Sequence, residues 1–219
     1  TKVLYLETPS NPLLTITDLS ALGALARSRN LTTLIDNTFA SPVNQNPADF
    51  GIDIVIHSAT KYMGGHSDIC AGAVAGSHGH IDQIFKLAKN LGGSLSDYTV
   101  WLLERSLKTM GLRVRAQNEN ALELARFLNE HPDIDKVYYP GLEAHPGHGI
   151  AKAQMQGFGG MLSFELSPQL NQHTFMRTLK WIKVSMSLAG VESTLLSPAE
   201  TSHALLSPKA ASHSTQDHA

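Results

Sequence analysis

A single lysine follows a short apolar run in the stretch DIVIHSATKYMGGHSD, which spans residues 53–68. Two hydroxyl side chains, Ser58 and Thr60, come just before this lysine, Lys61. A deprotonated lysine amine is a nucleophile that forms Schiff bases with carbonyl compounds, and a water-poor site favours the deprotonated form. On its own, however, a lysine after a strand is most often a solvated charge. The neighbouring residues therefore decide what Lys61 predicts.

A carboxylate, Asp36, ends the preceding apolar run TTLID. Pyridoxal phosphate needs such a set of partners: a lysine for its aldehyde, hydroxyl and backbone donors for its phosphate, and a carboxylate that keeps its ring nitrogen protonated. Lys61, Asp36, Ser58 and Thr60 are therefore predicted to bind this cofactor. The simpler alternative for Asp36 is that it caps the turn before Pro42.

The elements that must position these residues alternate between apolar runs and helical spacing. Strands are predicted at Val3–Leu6, in TTLIDNTFA, at Ile54–Ile56 and in CAGAVAGS, and a first helix carries Leu19, Leu22 and Ala26 after a cap at Thr17 or Asp18. Continuous apolar strands separated by helices are typical of a parallel sheet that is covered on both faces.

Ligands of such sheets bind at the carboxyl ends of the strands. Three predicted strand ends carry polar side chains: Glu7 and Asn11, Asp36 and Asn37, and residues 58–61. We expect these ends to converge on one crevice. The pair Gly64-Gly65 lacks a nucleotide-binding pattern and follows the lysine, which favours a flexible turn.

The second half of the chain has a different pattern. Helical spacing continues up to Pro132, KVYY and MLSFEL are predicted as strands, and another helix is predicted from Phe175, Leu179 and Ile182. This pattern indicates a smaller α+β domain. We place the boundary inside a long helical stretch that begins near Asp97, which gives a large domain at 1–115 and a small domain at 116–219.

Composition limits the class of protein and of partner. The chain has 219 residues, is 42% hydrophobic, and carries 17 Lys and Arg against 19 Asp and Glu, for a net charge of −2. A sizeable core is expected, with neither a nucleic-acid partner nor a membrane span, and with a small molecule as ligand. The single cysteine, Cys70, favours a reducing cytoplasm. His66 and Asp68 are too few to predict a metal site.

Five motifs, in this order, resemble the Cys/Met-metabolism family of fold-type I pyridoxal-phosphate enzymes: ETPSNP, LIDNTFASP, SATKYMGGHSD, AGAVAGS and SMSLAGVES. This family includes cystathionine γ-synthase, cystathionine β- and γ-lyases and methionine γ-lyase. The resemblance implies that Lys61 carries the cofactor and moves protons, and that Asp36 pairs with the pyridine nitrogen. It also implies phosphate contacts from Ser58 and Thr60, and a position for Asn11 near the phenolic oxygen of the ring.

The resemblance further implies a substrate-side loop in SLAGVES. Ser187, Leu188 and Glu192 are then expected to bind substrate, with Ser187 holding its carboxylate and Glu192 facing its distal end. Simpler alternatives are that Ser187 is an ordinary loop hydroxyl and that Asn11 forms an Asx-turn ahead of Pro12. Relatives are tetramers of dimers that share active sites, so a homo-oligomer is expected.

The expected activity is β- or γ-elimination, or γ-replacement, on a sulfur-containing amino acid or an activated homoserine. SLAGVES favours cystathionine chemistry, and an O-acyl-homoserine sulfhydrylase or methionine γ-lyase is the main alternative. A non-catalytic remnant that serves as an assembly surface is the alternative from another class.

The sequence also departs from the family pattern. The family's glycine-containing phosphate loop, stacking aromatic residue and late carboxylate-binding arginine have no counterpart here: Arg177 is the last arginine, and Lys209 is a poor replacement. The chain thus resembles the interior of a longer enzyme, and we expect a protein of only these residues to be inactive. Steady turnover by such a protein would contradict this expectation.

Overall fold

The computed structural model describes residues 1–198. Two sequence-based expectations concern residues outside this part of the chain: the end of the small domain and the cation Lys209. Within the described residues, no helix is long and apolar enough to cross a membrane.

The main sheet has four strands, in the order β1 (Val3–Glu7), β2 (Thr32–Asp36), β3 (Ile54–Ser58) and β4 (Gly72–Gly76). The first three are parallel, as predicted, whereas β4 pairs with β3 in the antiparallel sense. The connection from β3 to β4 is a loop without a crossover helix, and a parallel pairing requires such a crossover. Within residues 1–198, β1 forms one edge of the sheet and pairs with β2 alone.

Helix α1 (Leu19–Ser28) covers one face of this sheet. Its N-cap is Asp18, whose Oδ1 accepts a hydrogen bond from the Ala21 N–H at 2.9 Å, which settles the choice between Thr17 and Asp18. The core beneath α1 consists of Leu6, Leu19, Ile35, Ile52 and Val55. Because each such aliphatic side chain stabilises the fold by about 1.5–3 kcal/mol when buried, this core holds the strands in fixed positions.

After β2 the chain turns sooner than the run TTLIDNTFA predicts. The strand ends at Asp36, and the following residues lead into the short helix α2 (Ser41–Asn44) and a 3₁₀ helix at Pro47–Phe50. The last four residues of the predicted strand are therefore not strand. Helix α3 (His78–Leu91) follows β4 after an N-cap at Ser77.

A helix of 34 residues, α4 (Asp97–Glu130), connects the two halves of the chain. At 1.5 Å per residue it is about 50 Å long. Its N-cap is Ser96, whose hydroxyl accepts a hydrogen bond from the Thr99 N–H at 3.2 Å. The predicted long helix near Asp97 is confirmed, and the proposed domain boundary after residue 115 falls inside it and stays a proposal.

The second half contains a small antiparallel sheet of β5 (Ile134–Tyr138) and β6 (Ser163–Leu166), with α5 (His148–Gln154) between them. Both strands were predicted from KVYY and MLSFEL. The chain continues with α6 (Gln172–Thr178) and two short parallel strands, β7 (Lys183–Val184) and β8 (Thr194–Leu195).

The predicted helix through Phe175, Leu179 and Ile182 is wrong in its second half. The helix ends at Thr178, and Leu179 is extended, with φ −65° and ψ 123°. The physical reason is that the chain must straighten before β7 begins at Lys183. Only Phe175 lies inside the helix, where its ring packs edge-on against Phe164.

Candidate active site

The carboxyl ends of the three parallel strands lie side by side. In the strand register, Glu7 is opposite Asp36, and Asp36 is opposite Ile56. The next residues on β3 are His57 and Ser58, and Lys61 follows them after a short turn. The parallel register therefore brings the polar strand ends together at the edge of the sheet where ligands of such folds bind.

Hydrogen bonds link the end of β2 to the lysine turn, which we define as residues 59–65. The Thr38 N–H donates to Asp36 Oδ1 at 2.9 Å, and Thr38 Oγ1 accepts from the Ser58 N–H at 2.8 Å. The Lys61 N–H in turn donates to the Ser58 carbonyl at 3.0 Å. Asp36 and Lys61 are thus connected through two intermediate residues.

Asp36 has one oxygen engaged and one free. The bond from Thr38 to Oδ1 is a local turn contact of the kind that the simpler alternative predicted. Within residues 1–198, Oδ2 accepts no hydrogen bond, so the turn contact leaves an oxygen for a ligand.

Two titratable neighbours of Asp36 have shifted pKa values. Burial raises the pKa of Glu7, with a further rise from the charge of Asp36 and an opposing contribution from the Asn11 N–H. Burial also lowers the pKa of His57, against the opposing charge of Asp36. Both directions are those that desolvation produces.

The two predicted phosphate ligands differ in their contacts. The Ser58 hydroxyl has no hydrogen-bond partner within residues 1–198. The Thr60 hydroxyl accepts from the Ala71 N–H at 2.9 Å and donates to the Ala71 carbonyl at 3.3 Å, which closes the loop between β3 and β4. Ser58 is therefore free to bind a ligand. Thr60 could donate to a ligand only after breaking its 3.3 Å hydrogen bond to the Ala71 carbonyl.

Lys61 is half-buried, and its amine forms no hydrogen bond or ion pair within the described chain. The Gly64 N–H donates to the Ala59 carbonyl and the Gly65 N–H to the Lys61 carbonyl, both at 2.7 Å. Gly65 has φ +69°, which other residues rarely adopt. A turn at this position is confirmed, and these bonds close it around the lysine, whereas its predicted flexibility stays a prediction.

Two residues that the sequence analysis missed anchor the lysine turn to the rest of the chain: Tyr62, which lies within the turn, and Arg113, which lies outside it. The Tyr62 hydroxyl accepts a hydrogen bond from the Gly160 N–H at 2.9 Å, and burial raises the Tyr62 pKa to about 12. The Arg113 guanidinium, on α4, donates to the Tyr62 carbonyl at 2.9 Å and to the Met63 carbonyl at 3.4 Å. No sequence signal marks either contact, because each joins residues at least 50 positions apart.

Further buried amides, also missed, join the ends of β1 and β2. Gln45 Nε2 donates to Asn37 Oδ1 at 2.8 Å and to the Thr8 carbonyl at 3.2 Å. Asn37 Nδ2 returns a bond to the Gln45 carbonyl at 3.0 Å. These mutually satisfied groups fix the spacing of the two strand ends.

The predicted substrate-side residues Ser187, Leu188 and Glu192 lie in the loop between β7 and β8. Gln117 Nε2, on α4, donates to the Gly190 carbonyl at 2.8 Å. A Cβ built on Gly190 would lie 2.9 Å from Ser67 Oγ, so this loop packs against the chain that follows the lysine turn.

The three loop residues and Asn11 differ in exposure. Ser187 and Leu188 are half-buried, whereas Glu192 and Asn11 are exposed. The Asn11 N–H donates to Glu7 Oε1 at 3.4 Å, but its side chain forms no hydrogen bond in the described residues. The Asx-turn alternative for Asn11 is thus not observed.

No group of three or more metal-binding side chains is present in residues 1–198. His66 contacts the Gly64 carbonyl through Nδ1 at 2.7 Å. The groups at the strand ends are instead an unpaired amine, a free carboxylate oxygen and a free hydroxyl. This set fits pyridoxal phosphate, which offers an aldehyde, a pyridine nitrogen and a phosphate.

Comparisons with known proteins agree with this chemistry. Residues 1–218 match the model of a family described as "Cys/Met metabolism PLP-dependent enzyme". The cystathionine beta-lyase of Lactococcus lactis subsp. cremoris is 46% identical over 205 residues, which cover 93% of this chain and 54% of that protein.

Two solved structures resemble this one over 98% of the chain. The cystathionine gamma-lyase of Lactobacillus plantarum, complexed with L-serine, has a TM-score of 0.94 at 43% identity. The cystathionine gamma synthase of Xanthomonas oryzae pv. oryzae, in complex with aminoacrylate and cysteine, has a TM-score of 0.93 at 41% identity. This chain covers 56% of each, so it spans about half the length of the relatives it matches.

The fold is that of a fold-type I pyridoxal-phosphate enzyme, as these structures and the mixed sheet with its helices establish. The chain belongs to the Cys/Met metabolism PLP-dependent enzyme family.

Proposed function

We propose that the protein binds pyridoxal phosphate through Lys61 and catalyses elimination or replacement at the β or γ carbon of a cystathionine-type amino acid. The observation that carries this proposal is the hydrogen-bonded path from Lys61 through Ser58 and Thr38 to Asp36. It joins the groups needed for the aldehyde and for the ring nitrogen at one edge of the sheet.

The proposed roles follow from which atoms are free. The Lys61 amine would hold the cofactor covalently through its aldehyde. The free oxygen of Asp36 accepts a hydrogen bond from the protonated ring nitrogen, and the Ser58 hydroxyl donates to a phosphate oxygen. Thr60 would join the phosphate shell when its hydroxyl proton turns away from the Ala71 carbonyl, and Asn11 is the proposed partner of the ring's phenolic oxygen.

When bound, pyridoxal phosphate withdraws electrons from the substrate α-carbon and so makes its proton removable. The Lys61 amine would take this α-proton and return a proton later in the reaction. The charge of Asp36 keeps the ring nitrogen protonated throughout. The lysine turn, closed by its backbone hydrogen bonds, fixes the position of the Lys61 backbone and so limits the positions that its amine can reach.

The loop between β7 and β8 is the proposed site of the substrate's amino-acid end. Its contacts with Gln117 and Ser67 support this assignment, because they hold it against the residues after the lysine turn. Ser187 and Leu188, which are half-buried, contact the carboxylate end, and the exposed Glu192 faces the distal end of the substrate.

A product assay on the intact, cofactor-loaded protein tests the proposal. L-Cystathionine, L-methionine, and O-acyl-homoserine with sulfide or cysteine are supplied in turn. γ-Elimination of cystathionine consumes water and gives cysteine, 2-oxobutanoate and ammonia, whereas β-elimination gives homocysteine, pyruvate and ammonia. We expect cystathionine to be formed or cleaved with the highest kcat/KM.

The same panel separates the alternatives. Methanethiol and 2-oxobutanoate from methionine identify a methionine γ-lyase, and homocysteine from O-acyl-homoserine and sulfide identifies a sulfhydrylase. A loaded protein that turns over none of these substrates would contradict the proposal and favour a non-catalytic assembly role.

We also propose a cytoplasmic homo-oligomer, either a dimer or a tetramer. The exposed single cysteine, Cys70, suits a reducing compartment. Large apolar side chains on α3 and α4 suit burial between subunits, among them Phe85, Leu91, Tyr98 and Trp101, which are 53–77% exposed. Light scattering of the intact protein measures its mass, and a monomer at micromolar concentration would contradict this assignment.

A further inference from the structure

Arg113 is a half-buried cation without an acidic partner in the described chain. Its guanidinium donates instead to the carbonyls of Tyr62, Met63 and Ser106 and to the Thr109 hydroxyl. Burial lowers its pKa, which is the mark of a charge that has lost part of its hydration. A charge buried without a counterion is costly unless backbone dipoles replace the lost water.

The acceptors of Arg113 are of two kinds. Ser106 and Thr109 lie on its own helix, α4, and orient the guanidinium. The other two, Tyr62 and Met63, are the first two residues after Lys61. The planar guanidinium fork therefore ties the peptide units next to the lysine to a helix of 34 residues.

The backbone of the lysine turn is shaped to receive this group. A Cβ at Gly65 would lie 1.9 Å from Arg113 Nη1 and 2.4 Å from its Cζ, so the guanidinium occupies the space that a side chain would need. Gly65 has φ +69°. The absent side chain and the left-handed backbone together admit Arg113 to the turn.

We propose that Arg113 is a positioning residue for Lys61. By fixing the peptide units of Tyr62 and Met63, it holds the Lys61 backbone in one position, from which the side-chain amine extends. This inference rests on the proposed role of Lys61. Misplacement of a reacting group by about 1 Å can reduce the rate about 100-fold. Loss of the Arg113 hydrogen bonds therefore reduces kcat without removing any group that binds substrate. KM is therefore expected to change little.

The test compares Arg113→Met and Arg113→Lys with Arg115→Met in the intact protein. Arg115 is an exposed arginine on the same helix and donates no hydrogen bond within the described residues. We expect both Arg113 variants to lose kcat about 10- to 100-fold, to keep KM within about threefold, and to release pyridoxal phosphate faster after dilution. Arg113→Lys keeps the positive charge but not the planar guanidinium, so its kcat is expected to be little higher than that of Arg113→Met.

The results distinguish this inference from the proposed function. A Lys61→Ala variant that keeps the visible absorption band and turnover would contradict the proposed role of Lys61. If Lys61→Ala loses both while the Arg113 variants match the unaltered protein, only the positioning role is wrong. The positioning role would be overturned if Arg113→Lys had the kcat of the unaltered protein, if the loss were confined to KM, or if Arg115→Met lost as much kcat. If Arg113→Met fails to fold, Arg113→Lys alone decides.

Discussion

The contact between Gly65 and Arg113 can be measured through stability alone. A Gly65→Ala change places a methyl group 1.9 Å from Arg113 Nη1, whereas ordinary contact requires about 3.4 Å. The guanidinium must therefore move by about 1.5 Å, which breaks its 2.9 Å bond to the Tyr62 carbonyl. The left-handed conformation at φ +69° adds backbone strain of its own.

The expected cost is the sum of these two contributions. A hydrogen bond from a charged donor contributes about 1.5–3 kcal/mol. A left-handed conformation costs an alanine about 1–2 kcal/mol. Gly65→Ala should therefore reduce the free energy of unfolding by about 2.5–5 kcal/mol.

A double-mutant cycle with Arg113→Ala isolates the contact. In that background no guanidinium remains to be displaced, so Gly65→Ala should cost only its backbone strain of about 1–2 kcal/mol. The coupling free energy between the two positions is then about 1.5–3 kcal/mol. Urea denaturation of the intact, cofactor-free protein measures each corner of the cycle.

Gly79→Ala is the matched control. Gly79 lies in α3, and a Cβ there would meet no atom within 4 Å. Replacing a helical glycine by alanine in open space should stabilise the protein by up to about 1 kcal/mol. Additive costs for Gly65→Ala and Arg113→Ala would refute the reasoning, because they would mean that the two groups do not compete for one space.

Three further outcomes are expected. Tyr62→Phe leaves the Gly160 N–H without its acceptor and costs about 1–3 kcal/mol at pH 8. Since burial raises the Tyr62 pKa from 10.0 to about 12, the unaltered protein loses this tyrosine's contribution as the pH rises through that range, and the stability gap to Tyr62→Phe should narrow in alkaline denaturation curves. Thr60→Val should cost about 1–3 kcal/mol in urea, because the Ala71 N–H loses its acceptor. Asp36→Asn should keep the visible absorption band but slow α-proton exchange in deuterated water at least about 100-fold, and near-normal exchange would make Asp36 structural.

Much of the sheet was predictable because its strands are continuous apolar runs that end in polar residues. The positions of β1, β2 and β3 and a cap of α1 at Thr17 or Asp18 follow from local residue types, although β2 ends at Asp36, earlier than the predicted strand. The antiparallel β4 was not predictable in the same way, because strand direction depends on the connection and not on the apolar run itself. The end of α6 at Thr178 depended on where β7 begins, which two residues of strand hardly signal.

The residues of the candidate site likewise fall into those that local sequence predicts and those that depend on tertiary contacts. Lys61, Asp36 and Ser58 carry reactive or hydrogen-bonding groups in a recognisable order, so the sequence could single them out. Arg113 and Tyr62 look like an ordinary helix arginine and a core tyrosine. The contact of Arg113 with the lysine turn and that of Tyr62 with Gly160 exist only once α4 and the loop at Gly160 have packed against the turn.

The central claim is that Lys61 carries the cofactor, and one measurement tests it most directly. The intact protein is loaded with pyridoxal phosphate, reduced with borohydride, digested, and analysed by mass spectrometry for the modified lysine. We predict a pyridoxyl group on the peptide that contains Lys61 and on no other peptide. A reduced cofactor found on a different lysine, or none retained after reduction, would contradict the account.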